Sequence, residues 1–158
     1  MLHPKLASYF CGMRFQTPVV LLSGCVGFGQ EYTRVEGFSH RDIGAVCLKG
    51  TTLSARPGNP THRVYETPSG MLNAIGLQNP GANKVVDEIL PSLNFQETRF
   101  IANVSGSTIE EYTEVTRLFD QSAIDAIEIN ISCPNVKEGG VTFGNDPDMS
   151  ARVVEACR

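Results

Sequence analysis

The sequence is poor in the features that announce metal, nucleic-acid or membrane chemistry. Five cysteines occur, at 11, 25, 47, 133 and 157. No two of them form a Cys-x-x-Cys pair, so neither a disulfide frame nor a zinc or iron–sulfur site is expected. Such scattered thiols fit a reducing compartment, and a cytoplasmic protein is expected. His3, His40 and His62 lie far apart, and no metal centre is expected from them. Lys and Arg number 13 against 17 Asp and Glu, for a net charge of −4. That balance argues against a nucleic-acid footprint. No apolar run approaches the ~20 residues of a membrane span. The start, Met1-Leu2-His3-Pro4-Lys5, lacks the basic-then-apolar layout of a signal peptide. The 158 residues suffice for one domain with a core of its own.

What is present is an alternation of buried strands and amphipathic helices. A short hairpin is expected over 8–17, turning at Cys11-Gly12. Pro18-Val19-Val20-Leu21-Leu22-Ser23-Gly24 is an apolar run closed by small residues, as in a strand covered on both faces. Gly24, Gly27 and Gly29 follow. Their spacing does not match a dinucleotide fingerprint, leaving a tight turn or a place where backbone approaches a flat cofactor. A short helix is expected over 31–39, and a second buried strand over Ala45-Val46-Cys47-Leu48-Lys49.

Residues 50–82 form a long connection rich in Gly, Pro, Ser and Asn, of the kind used as a lid or binding loop. Its segment Met71-Leu72-Asn73-Ala74-Ile75-Gly76-Leu77 is too apolar for a linker and is expected to pack down. Arg56, Arg63 and Glu66 within this connection admit a plain solvated reading. A helix is expected over 82–93, with Val85, Val86, Ile89, Leu90 and Leu93 on one face and Pro91 interrupting its last turn. The third strand is 100–106, with Asn103 as a polar residue inside an apolar run. Ser107-Thr108-Ile109-Glu110 has the form of a capping box with Ser107 as N-cap. The fourth strand is 126–132, and Asp146-Pro147 opens a last helix as N-cap and N1.

Strand and helix thus alternate four times, which specifies a parallel sheet with right-handed crossovers. Pattern alone fits either half of a TIM (β/α)8 barrel, whose full length is ~250 residues, or a small open α/β sheet. Ser23, Lys49, Asn103, Asn130 and Cys133 all fall near strand ends, where α/β proteins place their chemistry. The fourth strand ends in Asn130-Ile131-Ser132-Cys133-Pro134-Asn135. Pro134 stops it, leaving a thiol between two carboxamides. One reading is a base or nucleophile beside ligand-binding amides; the other is a structural cysteine beside turn-forming asparagines. Lys49 likewise is either an active-site ammonium or a solvated strand end.

Taken together, several segments resemble the class 1 dihydroorotate dehydrogenases. They are Leu48-Lys49-Gly50-Thr51-Thr52, Arg56-Pro57-Gly58-Asn59-Pro60, Gly70-Met71-Leu72-Asn73-Ala74-Ile75-Gly76-Leu77-Gln78-Asn79-Pro80-Gly81, Ile101-Ala102-Asn103-Val104, and Asn130-Ile131-Ser132-Cys133-Pro134-Asn135-Val136-Lys137. The 73–81 segment most resembles class 1B, the NAD-linked type. The resemblance runs from about residue 4 to 158 as a single partial domain. It implies the first four β/α units of a TIM barrel, preceded by a hairpin.

The resemblance implies FMN-dependent oxidation of dihydroorotate to orotate in pyrimidine biosynthesis. Cys133 would be the catalytic base, taking the C5 proton while hydride leaves C6 for the flavin. Lys49, Asn73, Ala74, Ile75, Gly76, Leu77, Asn130 and Asn135 would hold the substrate. Ser23, Lys49, Gly50, Asn103 and Asn130 would contact FMN, and Gly139 and Gly140 would lie in a closing loop. It further implies an electron-transfer subunit carrying FAD and an iron–sulfur cluster, with NAD as acceptor, and a homodimer core within a heterotetramer.

The sequence departs from the family at Leu22, where Ala is usual, and at Thr61-His62, where Pro is usual. It stops halfway through the family's barrel, before the flavin phosphate site, so the isolated chain is expected to turn over little or not at all. The alternatives are a non-catalytic half-barrel and the related pyrimidine-reducing domain of dihydropyrimidine dehydrogenase.

Overall fold

The computed structural model describes residues 6–132 and 141–158. Its centre is a four-stranded parallel sheet built from β3 (Val20–Leu21), β4 (Ala45–Cys47), β7 (Arg99–Val104) and β8 (Ala126–Ile129), in that spatial order. Successive strands are neighbours, as right-handed βαβ units require. Register pairs Val46 with Phe100 and Asn103 with Glu128. Pairing runs past the strand ends: the Leu48 N–H donates to Ile101 O at 2.9 Å, Thr51 N–H to Asn103 O at 2.9 Å, and Asn130 N–H to Val104 O at 2.8 Å. The C-terminal rim of the sheet is therefore held as firmly as its middle.

Because strand side chains alternate, the sheet has two unlike faces. Val46, Leu48, Phe100, Ala102 and Val104 point outward and are buried in one cluster with Val85, Tyr112, Val115, Phe119 and Val153. Cys47, Asn103 and Glu128 point the other way and meet one another.

The helices complete the outer layer. α2 (Ile109–Asp120) buries Tyr112, Val115, Thr116 and Phe119, while Glu114 and Arg117 pair on its exposed side at 2.6 Å. Its cap lies one residue later than the sequence suggested. Thr108, not Ser107, is the N-cap and accepts from Glu111 N–H at 3.2 Å. Glu111 in turn accepts from Ser107 N–H at 2.6 Å, and the Ser107 hydroxyl is engaged by Arg56 at 2.6 Å. α3 (Pro147–Cys157) starts as expected, with Asp146 accepting from Asp148 N–H and Met149 N–H.

Three further expectations are corrected. No helix forms over 31–39; only single 3₁₀ turns occur at Tyr32–Arg34 and His40–Asp42. Gly37 at φ 81 breaks the path between them, and packing supersedes helix formation. Phe38 stacks edge-on against His40 at 5.7 Å, and His40 against Phe100 at 5.5 Å. The 82–93 helix begins as α1 (Ala82–Lys84), widens into a π turn at Val85–Ile89 and tightens to 3₁₀ at Leu90–Ser92. Pro91 lacks the N–H for an i−4 bond, and the distorted turns keep Val85 and Leu90 buried despite it.

The long connection is also not structureless. It carries an antiparallel hairpin of β5 (Val64–Thr67) and β6 (Gly70–Asn73). Met71 and Leu72, expected to pack down, stand 62% and 64% exposed there. The hairpin satisfies its own backbone groups, so it can project without a covering layer. Only the end of that segment is internal, where Gly76 and Leu77 are buried. At the N-terminus β1 (Ser8–Phe10) and β2 (Met13–Phe15) form the expected hairpin, with Cys11 at φ 48 and Gly12 at φ 75 in its turn. Among the described residues, no helix is long and apolar enough to cross a membrane.

Candidate active site

The expected site residues divide into three groups. Lys49, Gly50, Leu77, Asn103 and Asn130 are brought together at the C-terminal rim of the sheet. The Lys49 N–H donates to Gly27 O at 2.7 Å, which clamps the glycine turn after β3 onto the end of β4. Gly24 has φ 88, and a Cβ built there would lie 4.0 Å from the Lys49 ammonium, with no other atom nearer. Backbone and ammonium thus face open space together.

Gly50 is buried, and a Cβ on it would stand 2.8 Å from Asn103 Oδ1 and 2.8 Å from Leu77 Cδ1. Glycine is required because strand end, loop and carboxamide converge there. Asn103, 2% exposed, accepts at Oδ1 from Asn130 Nδ2 at 3.0 Å. Asn130 Oδ1 accepts from the backbone and hydroxyl of Ser132 at 3.1 and 3.2 Å. The Tyr112 hydroxyl holds the Asn130 carbonyl at 2.6 Å, tying this strand end to α2.

The second group stands apart from this network. Asn73 is exposed at the end of β6, and Ala74 is exposed beside it. Their loop is fixed from the other side: Asn59 Nδ2 donates to Ala74 O at 2.8 Å, Asn59 N–H to Ile75 O at 3.0 Å, and Ala74 N–H to Arg63 O at 2.8 Å. Arg63 also donates to Pro57 O, Asn59 O and Gln78 Oε1, and so is part of the loop rather than free in solvent. Gly76 at φ 75 and Leu77 at φ 56 turn the chain back to the sheet. Ser23 is half-buried, and its backbone meets the Cys47 thiol. The third group, Cys133, Asn135, Gly139 and Gly140, lies outside the described residues.

A cleft of ≈ 570 Å³ opens between the glycine turn and the 75–80 loop, bordered by Gly24, Phe28, Lys49, Arg56, Ile75 and Gln78. Lys49 and Arg56, together with the Glu31 carboxylate and an apolar wall on the same border, suit a flat, carbonyl-rich ligand. Asn79 beside it has a structural role. It is 4% exposed, accepts from Thr52 N–H and Gly81 N–H, and donates to Leu77 O, locking the loop to the sheet. Next to Gly50, the Ser105 hydroxyl is buried with no hydrogen-bond partner among the described residues.

Sequence reading missed two members of the network. Cys47 donates its S–H to Glu128 Oε1 at 3.3 Å, and Asn103 Nδ2 donates to the same oxygen. The available signal was period two: in the run 126–132, Glu128 shares a face with Asn130. The Cys47 thiol is pushed up from 9.0 to about 12, first by burial and then by the Glu128 carboxylate. A raised thiol pKa stabilises the fold fully below pH 9, and that contribution fades as pH climbs toward 12. At pH 8 the thiol-blocking reagent iodoacetamide is expected to label exposed Cys11 and Cys25 but spare Cys47 until the chain unfolds. Peptide mass mapping checks this; labelling of Cys47 at the rate of Cys11 would contradict its assigned state.

Parallel β/α units with polar side chains gathered at the strand C-termini fit part of a β/α barrel. The family model for dihydroorotate dehydrogenase matches residues 5–158. The chain is 51% identical over 150 residues to the catalytic subunit of dihydroorotate dehydrogenase B (NAD(+)) from Geobacillus kaustophilus, covering 94% of this chain and 47% of the relative. The corresponding subunit from Anoxybacillus flavithermus is 50% identical over 155 residues, covering 98% and 49%. Among solved structures, a dihydroorotate dehydrogenase from Eimeria tenella in complex with ferulenol superposes with a TM-score of 0.73 at 20% identity, covering 99% of this chain and 44% of the other. The chain belongs to the dihydroorotate dehydrogenase family and carries part of its TIM-barrel fold. It spans about half the length of the curated relatives it matches.

Proposed function

We propose that this chain supplies the first four β/α units of an FMN-dependent, class 1B dihydroorotate dehydrogenase that oxidises (S)-dihydroorotate to orotate. The observation that carries the reading is the convergence of Lys49, Gly50, Asn103 and Asn130 at one rim in a member of this family. These residues fit a flavin. Gly24 and Gly50 keep side-chain bulk away from the rim, the Lys49 ammonium faces the opening, and the carboxamides match ring carbonyls and nitrogens. Ser23, Lys49, Gly50, Asn103 and Asn130 would hold the cofactor, which supplies a two-electron acceptor when bound.

The remaining work falls to the protein. Cys133 takes the substrate proton as thiolate, helped by the positive charge of Lys49. Asn130 and Asn135 orient the substrate amides and carboxylate. Asn73 and the backbone of Ala74, Ile75, Gly76 and Leu77 would hold the substrate, and by family resemblance Gly139 and Gly140 would belong to the active-site loop. Electrons leave through a partner subunit bearing FAD and an iron–sulfur cluster, and pass to NAD. A homodimer core within a heterotetramer, working in the cytoplasm, completes the reading.

The test is a fusion of this chain to the C-terminal half of the Geobacillus kaustophilus relative. The expected product is a yellow protein with one FMN per chain, bleached anaerobically by dihydroorotate. A fusion that holds FMN but is not bleached overturns the substrate assignment. The 158-residue chain by itself is expected to give neither stoichiometric flavin nor bleaching.

A further inference from the structure

We propose that Glu128 is a positioning residue for the flavin site, acting by fixing which way the Asn103 and Asn130 carboxamides point. The inference rests on the flavin reading above and extends it to a residue that touches neither cofactor nor substrate in that reading.

The four groups form a line across the inner face of the sheet. At one end, the Ser132 backbone N–H can only donate, and it meets Asn130 Oδ1 at 3.1 Å. Asn130 must then offer Nδ2 to its neighbour, and Asn103 receives it at Oδ1 at 3.0 Å. That leaves Asn103 with Nδ2 at the far end, facing Glu128 Oε1. An ionised carboxylate can only accept. A donor-only group and an acceptor-only group thus close the line at opposite ends and impose the same polarity on both amides. Neither carboxamide can flip without setting donor against donor at one end or acceptor against acceptor at the other. The second N–H of Asn130 is then available in a constant direction for an acceptor on a bound ring. Cys47 holds the carboxylate in place, its S–H reaching the same oxygen at 3.3 Å.

What the line needs at this end is an acceptor, because Asn103 is buried and an unmet N–H there is costly. Glutamine retains a carbonyl that can accept; leucine does not. Glu128→Gln is therefore expected to behave as the rescuing variant, and Glu128→Leu as the failing one.

Side-chain amide NMR of this chain reads the line without any flavin. In the unsubstituted chain, the Asn103 and Asn130 amide protons are expected to be resolved and slow to exchange, with cross-peaks from Asn103 Hδ2 to Glu128. Glu128→Leu is expected to speed their exchange about ten-fold or more, and Glu128→Gln to leave it within about three-fold. Unchanged exchange in a folded Glu128→Leu chain overturns the proposal. Should that variant not fold, absence of the Asn103–Glu128 cross-peak in the unsubstituted chain overturns it equally.

In the completed fusion, FMN binding is expected to weaken about ten-fold for Glu128→Leu and to stay within about three-fold of the parent for Glu128→Gln. A Glu128→Leu fusion that binds FMN as tightly as its parent removes the positioning role. A parent fusion that binds no FMN sinks the cofactor reading instead, and the amide exchange then decides the network separately.

Discussion

Replacing Cys133 with alanine in the completed barrel is expected to slow flavin reduction by dihydroorotate about 10²–10⁴-fold, the range supplied by a positioned acid or base. FMN content should not change, because Cys133 is not among the residues assigned to the cofactor, and all of those but Asn130 lie on other strand ends. β8 ends at Ile129, Asn130 is anchored by Tyr112 and Asn103, and the Ser132 N–H is held by Asn130 Oδ1. The chain as far as Ser132, the residue before Cys133 in sequence, is therefore a fixed strand end on the rim that carries Lys49. Anaerobic stopped-flow absorbance of the flavin checks the rate, and the resting spectrum checks occupancy. A rate near that of the parent would remove Cys133 from the base role. Loss of FMN together with the rate would mean a structural role instead.

Phe100→Ala carries the largest expected cost in stability, about 3–5 kcal/mol. The ring is 0% exposed and packs edge-on against His40 at 5.5 Å and Phe95 at 5.1 Å. It also supports the glycine turn, since a Cβ on Gly29 would lie 3.2 Å from its Cε1. Small domains are stable by only about 5–15 kcal/mol, so such a loss takes much of the total. The same cavity should loosen the turn whose Gly27 carbonyl receives the Lys49 N–H, and so weaken the site. Urea titration of this chain measures the first effect. A shift below about 1 kcal/mol would mean that the surrounding rings collapse to fill the space.

Much of the architecture was legible because it rests on local signals. The run of β-branched residues at 127–131, the Asp146-Pro147 start and the Cys11-Gly12 turn each carry their instruction within a few positions. Lys49, Asn103 and Asn130 could be picked out because a polar residue ending or interrupting an apolar strand needs a partner. Helix 31–39 could not be judged in this way. Gly37 breaks the path there, Phe38 stacks on His40, and His40 stacks on Phe100, which lies far along the chain. The N-cap moved from Ser107 to Thr108 for a similar reason. Arg56, 51 residues away, engages the Ser107 hydroxyl, and the next hydroxyl along caps the helix.

By itself the sequence determined the parallel β/α order, the family and the candidate rim residues, since each follows from spacing and residue type along the chain. Only tertiary structure decided that Cys47 and Glu128, 81 positions apart, share one hydrogen bond, and that Asn103 and Asn130 form a line with a definite direction. A polar group's need for a partner is a property of the residue. Which partner meets that need is a property of the fold, because the sheet brings side chains from distant strand ends to 3.0 Å of one another and solvent competes less there.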